Sequence, residues 1–135
     1  MRTIKFRGKR PDTMEWAVGS LVECYNGKTG IVSMTKYSEE NGIKAIIDEV
    51  SPDTIGQYTG LKDKNGKEIY EGDIIAHNDR VIGHIIGGVR GYCYDVIYKQ
   101  PAPEKDWSLY GVVIQDYDGE VEIIGNRFDN PELLK

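Results

Sequence analysis

A chain of 135 residues with a net charge of −5 fits one domain and can bury a core without disulfides or metals. Its acidity argues against general polyanion binding. No run approaches the ~20 apolar residues of a membrane span, and the opening Met1-Arg2-Thr3-Ile4-Lys5-Phe6-Arg7 lacks the apolar stretch of a secretory signal. Cys24 and Cys93 are then expected to be free thiols in a reducing, cytoplasmic compartment. The apolar inventory sets the class: Ile and Val total 26 residues against 9 for Leu and Ala. β-Branched side chains lose rotamer freedom in a helix and suit a pleated surface, so the composition predicts a mainly β protein.

Turn signals at Pro11-Asp12, Asn26-Gly27, Asn41-Gly42, Asn65-Gly66, Asn78-Asp79, Gly87-Gly88 and Asp118-Gly119 punctuate the chain. Between them the strand-forming runs are, in order, Thr3–Arg7, Glu15–Val18, Ser20–Tyr25, Lys28–Ser33, Ile43–Ile47, Thr54–Tyr58, Asp73–His77, Val81–Ile86, Tyr92–Tyr98, Tyr110–Gln115 and Val121–Ile124. This spacing predicts a small antiparallel, barrel-like core with extra hairpins. Lys36–Gly42 and the segment from Gln100 to Asp106, with Pro101 and Pro103, read as loops. At the end, Asn130-Pro131-Glu132 predicts a short helical turn. No repeat or linker demands a second domain, so residues 1–135 are read as one.

Three hairpins give registers that coordinates can test. A two-residue turn at Asp118-Gly119 sets Ile114 opposite Ile123, with Val112 and Val121 on the same face. A two-residue turn at Asn65-Gly66 sets Leu61 opposite Tyr70. A turn at Asp79-Arg80 sets His77 opposite Ile82 and diagonal to His84, so that two imidazoles share a face. A metal site would need further ligands, and none lies near in sequence; no cofactor is expected.

The first ten residues hold five basic groups and no acid, leaving −10 for the rest. With period two, Lys5, Arg7 and Lys9 share one face while Ile4 and Phe6 point to the core. That ladder suits phosphates or an acidic partner, or is a solvated face balanced by acids elsewhere. Tyr92, Tyr94 and Tyr98 form a second stripe with Val96. Exposed, it could stack on bases or anchor a protein interface; buried, it is cross-strand packing. Glu68, Glu71 and Asp73 are close enough in sequence to suggest acid–base work, although acids around a turn are commonly only solvated. No nucleophile elbow, phosphate loop or zinc-protease motif is present.

The central block from Val50 to Ile74, which includes Ile55-Gly56-Gln57-Tyr58-Thr59-Gly60-Leu61, Asp63-Lys64-Asn65-Gly66-Lys67 and Tyr70-Glu71-Gly72-Asp73-Ile74, resembles the signature of the YopX family of phage and prophage proteins. The opening Ile4-Lys5-Phe6-Arg7 with Trp16-Ala17-Val18-Gly19, and the closing Ile124-Gly125-Asn126-Arg127-Phe128-Asp129-Asn130-Pro131, resemble its two ends. The resemblance implies a phage or prophage origin, a bacterial cytoplasm and a β-rich fold, and it brings no catalytic residues. Gly72, before Asp73, is expected where the backbone turns unusually or packs closely, as at strand entries of Src-homology-3-like barrels. The reading that follows is a non-enzymatic accessory protein working through protein–protein contacts, including a homo-oligomer. The alternatives are a nucleic-acid-binding module built on Lys5, Arg7 and Lys9, disfavoured by the net charge, and an enzyme built on Glu71 and Asp73.

Overall fold

The computed structural model describes residues 3–87, 94–99 and 108–135, and of Met34 the backbone alone. Ten strands are present among them: β1 (Phe6–Lys9), β2 (Trp16–Glu23), β3 (Thr29–Ser38), β4 (Gly42–Glu49), β5 (Gly56–Lys62), β6 (Glu68–Tyr70), β7 (Asp73–His77), β8 (Arg80–Ile86), β9 (Asp95–Tyr98) and β10 (Glu122–Asn126). Short 3₁₀ turns cover Pro52–Thr54 and Pro131–Leu134, and a π-helix covers Gly111–Asp116. The protein is mainly β, as its composition predicts. It forms two compact units, Met1–Tyr58 and Thr59–Lys135, and β5 straddles the boundary.

In the first unit the strands run antiparallel in the order β4-β3-β2-β1-β5. Period-two alternation sends Phe6, Ala17 and Ile31 to one side, where they meet Val50 and Ile55 in a small core. Gly8 lies opposite Ala17, and a Cβ there would sit 2.9 Å from Val50 Cβ. A side chain at that position would prise Val50 off the sheet. The strand expected over Thr3–Arg7 starts later, at Phe6, and Ile4 is exposed rather than in the core. The loop expected from Lys36 is shorter, because β3 continues to Ser38 and pairs with Gly42.

In the second unit the sheet order is β10-β7-β8-β9, all antiparallel. One face carries Ile75, Ile85 and Val96 into a core completed by Ile69, Ile82, Leu109, Val112, Val113 and Val121. Among the described residues the strands form open sheets with outer strands and do not close into a barrel.

The strand expected over Tyr110–Gln115 is helical. Val112 N donates to Ser108 O and Tyr117 N to Val112 O, so the ladder passes from a four-residue to a wider five-residue spacing, and Gly119 N closes the end on Val113 O, six residues back. Leu109, Val112 and Val113 are buried, and their spacing is that of one helical face. Helical burial of this stripe outweighs the strand preference of valine, and the expected pairing of Ile114 with Ile123 does not form. Instead Ile123 pairs with Ile75 of β7.

The turn expected at Asp79-Arg80 is one residue earlier. His77 pairs with Arg80, and Asn78 and Asp79 both take positive φ, 48° and 67°, the geometry of a primed two-residue hairpin turn. The Asn65-Gly66 hairpin closes with Asp63 N donating to Lys67 O. Its loop is therefore Lys64-Asn65-Gly66, one residue longer than expected, and a Leu61–Tyr70 pair does not follow from it. The closing helical turn over Pro131–Leu134 is as expected from Asn130-Pro131.

Ile75 is fully buried at the centre of the second core. Ile75→Ala is expected to lower stability by about 2–5 kcal/mol, measured as a shift in the urea unfolding midpoint without loss of the strand signature in circular dichroism.

Candidate functional site

The basic N-terminal strand keeps its predicted alternation but not its predicted exposure. Arg7 and Lys9 share a face, and both are buried, at 7% and 6% exposure. Lys9 lies opposite Trp16 across the β1–β2 pair. The indole ring receives both cations: Arg7 Cζ is 4.2 Å and Lys9 Nζ 4.6 Å from its centroid. Desolvated cation–π contacts of this kind contribute on the order of 2 kcal/mol each. Lys9 Nζ also donates to Met14 O at 2.9 Å. Lys5 is half-buried with its ammonium 5.4 Å from the Tyr58 ring. Two of the three cations are thus enclosed by aromatic surface rather than presented as an open ladder.

Of the tyrosine stripe, Tyr92 lies outside the described residues, as does Cys93. Tyr94 and Tyr98 are half-buried and pack against the core that contains Val96, so the period-two stripe is real and its described members face inward. The histidines do not share a face. His84 pairs with Ile74, while His77 follows Ile75 by two residues on the other side of β7. His77 Nδ1 is 2.7 Å from Glu120 O, and the ring lies 4.8 Å from that of Tyr117. Burial, reinforced by the nearby Arg127 guanidinium, pushes the His84 imidazole below its ordinary pKa. Among the described residues no three His, Cys, Asp or Glu side chains gather as a metal would require. Asp73, offered with Glu71 as an acid–base pair, is buried, and its Oδ2 accepts Tyr70 N–H at 2.8 Å.

One surface is absent from the sequence reading. The β3–β4 hairpin carries Tyr37 at 74%, Ile43 at 75%, and Ile46 and Ile47 each at 52% exposure. Tyr37 pairs directly with Ile43. A Cβ on Gly30 would touch Ile47 and Val22, so Ile47 lies on the face opposite Ile31, together with Ala45 and Ile43 by alternation. Ile46 lies on the other face. β4 is the outer strand of its sheet and is apolar on both faces. The signal was in the sequence: Ala45-Ile46-Ile47 breaks the apolar–polar alternation of a half-buried strand, as only a strand covered on both sides ordinarily does.

The turns of the central and closing blocks are built by short polar side chains that satisfy backbone N–H groups. The Asp63 carboxylate, 6% exposed, accepts from Asn65 N and Lys67 N at 2.9 Å and from Ile123 N at 3.1 Å. Asn126 Oδ1 accepts from Phe128 N and Asp129 N, and Asn130 Oδ1 accepts from Asn126 N. Gly72 has φ +91°, and a Cβ there would meet the Phe128 ring at 3.2 Å, as its position before Asp73 suggested. Gly72 O in turn accepts Arg127 N. The family model for the YopX protein matches residues 5–135. The chain belongs to the YopX family.

The crystal structure of protein EF1440 from Enterococcus faecalis is similar over 100% of both chains, at 25% identity and a TM-score of 0.57. A search among curated proteins finds no match. The YopX signature, as it stands in this chain, is thus largely a set of turn instructions. Asp63, Asp73, Asn126 and Asn130 each hold backbone N–H groups of these turns.

Removing the Asp63 carboxylate strands three donors, so Asp63→Ala is expected to cost about 3 kcal/mol of stability; Asp63→Asn, which keeps one acceptor oxygen, should cost less. Denaturant titration checks both. Burial and Arg127 disfavour the protonated form of His84 in the folded state, whereas the unfolded chain takes up a proton near the ordinary value of about 6.5. Stability should therefore fall as pH drops below that value towards the depressed folded pKa. His84→Gln is expected to flatten the melting temperature over that interval.

Proposed function

We propose that this YopX-family protein is a non-enzymatic phage or prophage accessory protein of the bacterial cytoplasm. It works through protein–protein contacts, self-association among them. The observation that carries the reading is the doubly apolar outer hairpin of the first unit, with Tyr37, Ile43, Ile46 and Ile47 all more than half exposed. Contiguous exposed apolar strand surface on a soluble protein ordinarily marks an interaction site, and an outer strand adds unpaired backbone groups to it. The cytoplasmic element rests on the free thiol of Cys24 and on the absence, among the described residues, of any helix long and apolar enough to cross a membrane. The enzyme reading gains nothing from Asp73, whose carboxylate is buried against the backbone. The nucleic-acid reading loses the open cation ladder it required.

Light scattering over a wide concentration range tests the proposal, and the expected result is a mass that rises with concentration. Ile43→Ser with Ile47→Ser should shift the protein towards monomer while leaving the melting temperature nearly unchanged, since exposed positions outside the core contribute within about 0.5 kcal/mol. A strictly monomeric wild-type protein at the highest concentration would remove self-association from the reading.

A further inference from the structure

We infer that the outer edge of β4 is a self-complementary docking strand that pairs antiparallel with β4 of a second copy of this chain, centred on Ile46. The inference rests on the self-association reading above and gives it an address and a register.

The backbone sets the geometry. Val50 N donates to Thr29 O at 3.1 Å, so residue 50 turns its polar backbone towards β3. Backbone groups alternate along a strand, and the irregularity of the β3–β4 pair lies in β3, between Val32 and Met34. β4 is therefore regular, with Lys44, Ile46 and Asp48 directing their amides and carbonyls to β3. Ile43, Ala45, Ile47 and Glu49 direct theirs to the open edge. A second strand must bond to these outward groups, and a symmetric antiparallel partner must match outward residue with outward residue.

Side-chain chemistry then selects the register. Centring the pair on Ile46 sets Ile43 opposite Glu49 and Ala45 opposite Ile47 as hydrogen-bonded pairs. It sets Lys44 opposite Asp48 twice, flanking Ile46 opposite Ile46, at the positions where facing side chains come closest. Sliding by two residues either way places Lys44 opposite Ile46 or Val50 and loses both charge pairs. Sliding by four sets Lys44 against Lys44 or Asp48 against Asp48. The strand thus favours one alignment and penalises its neighbours, as a partner-specific edge does. Lys44 makes no hydrogen bond or ion pair among the described residues. Asp48 accepts from the Ser33 hydroxyl at 3.3 Å and lies 3.7 Å from Arg10. Its side chain remains 22% exposed, so it can take a second cation.

Cysteine cross-linking and charge exchange test the register in the full-length chain, with Cys24 and Cys93 replaced by Ser. Ile46→Cys should form a disulfide-linked dimer under mild oxidation, because directly opposed residues of a non-hydrogen-bonded pair lie about 4.5 Å apart at Cα, within disulfide reach. Ala45→Cys, which faces Ile47 of the second copy, should not. Lys44→Glu should raise the dimer dissociation constant about tenfold. Mixing it with Asp48→Lys should restore association, because each then supplies the charge the other lacks. Self-association that is indifferent to Lys44→Glu, or that cross-links at Ala45→Cys as readily as at Ile46→Cys, overturns the edge assignment and leaves the self-association reading standing. A protein that stays monomeric in every form overturns both.

Discussion

The structure depends on a constraint of tight turns: each leaves backbone N–H groups that no strand ladder satisfies. In the second unit that demand is met by short carboxylates and amides placed two to four residues away. Asp63 is the central case. Its carboxylate closes the Lys64-Asn65-Gly66 loop through Asn65 N and Lys67 N and also holds Ile123 N at the start of β10. One buried side chain therefore joins a local turn to a strand sixty positions further along the chain. Asp73, Asn126 and Asn130 repeat the device at the strand entry and at the closing turn. A charge buried in this way is tolerated because its oxygens are filled with donors, which is also why such residues make poor catalysts.

The first unit solves a different problem. Its core is small, formed by Ala17, Ile31 and Val50 with Phe6 and Ile55. Trp16 strengthens the opposite face by accepting Arg7 and Lys9 over its ring. A tryptophan between two cations shields apolar surface and accommodates positive charge at once. Among the described residues no comparable cover extends to the β3–β4 hairpin, where isoleucines and a tyrosine are exposed on both faces. Natural sheets usually blunt an outer strand with charge or proline. β4 instead has one lysine before its apolar centre and two acids after it, an arrangement that repels parallel or shifted copies more than a centred antiparallel one.

Several elements were legible from residue types alone. Asn-Gly and Asn-Asp marked turns because few other residues accept positive φ, and Asn65-Gly66 and Asn78-Asp79 do form loops, the first one residue longer than its simplest count and the second a two-residue turn one residue earlier than the Asp79-Arg80 placement. Gly72 was legible because a glycine before an Asp-aliphatic strand entry signals unusual φ or close packing, here a φ of +91° and an approach to Phe128. Val112-Val113-Ile114 was misread: β-branching argued for a strand, yet Leu109, Val112 and Val113 carry helical spacing, and spacing prevailed once a sheet face was available to cover. Arg7 and Lys9 were assigned to the correct face, but nothing local indicates that Trp16 on the next strand encloses them.

What the sequence by itself determined is what depends on neighbours along the chain: β character from branched side chains, turn sites from Asn, Gly and Pro, which residues share a strand face, and family membership from a continuous signature. The tertiary structure decided what depends on residues distant in sequence. It chose the helix over the strand at Gly111–Asp116, separated His77 from His84 across the sheet, buried two cations under an indole, and left β4 outermost. Burial and register are properties of paired surfaces, and a single strand carries only half of each pair.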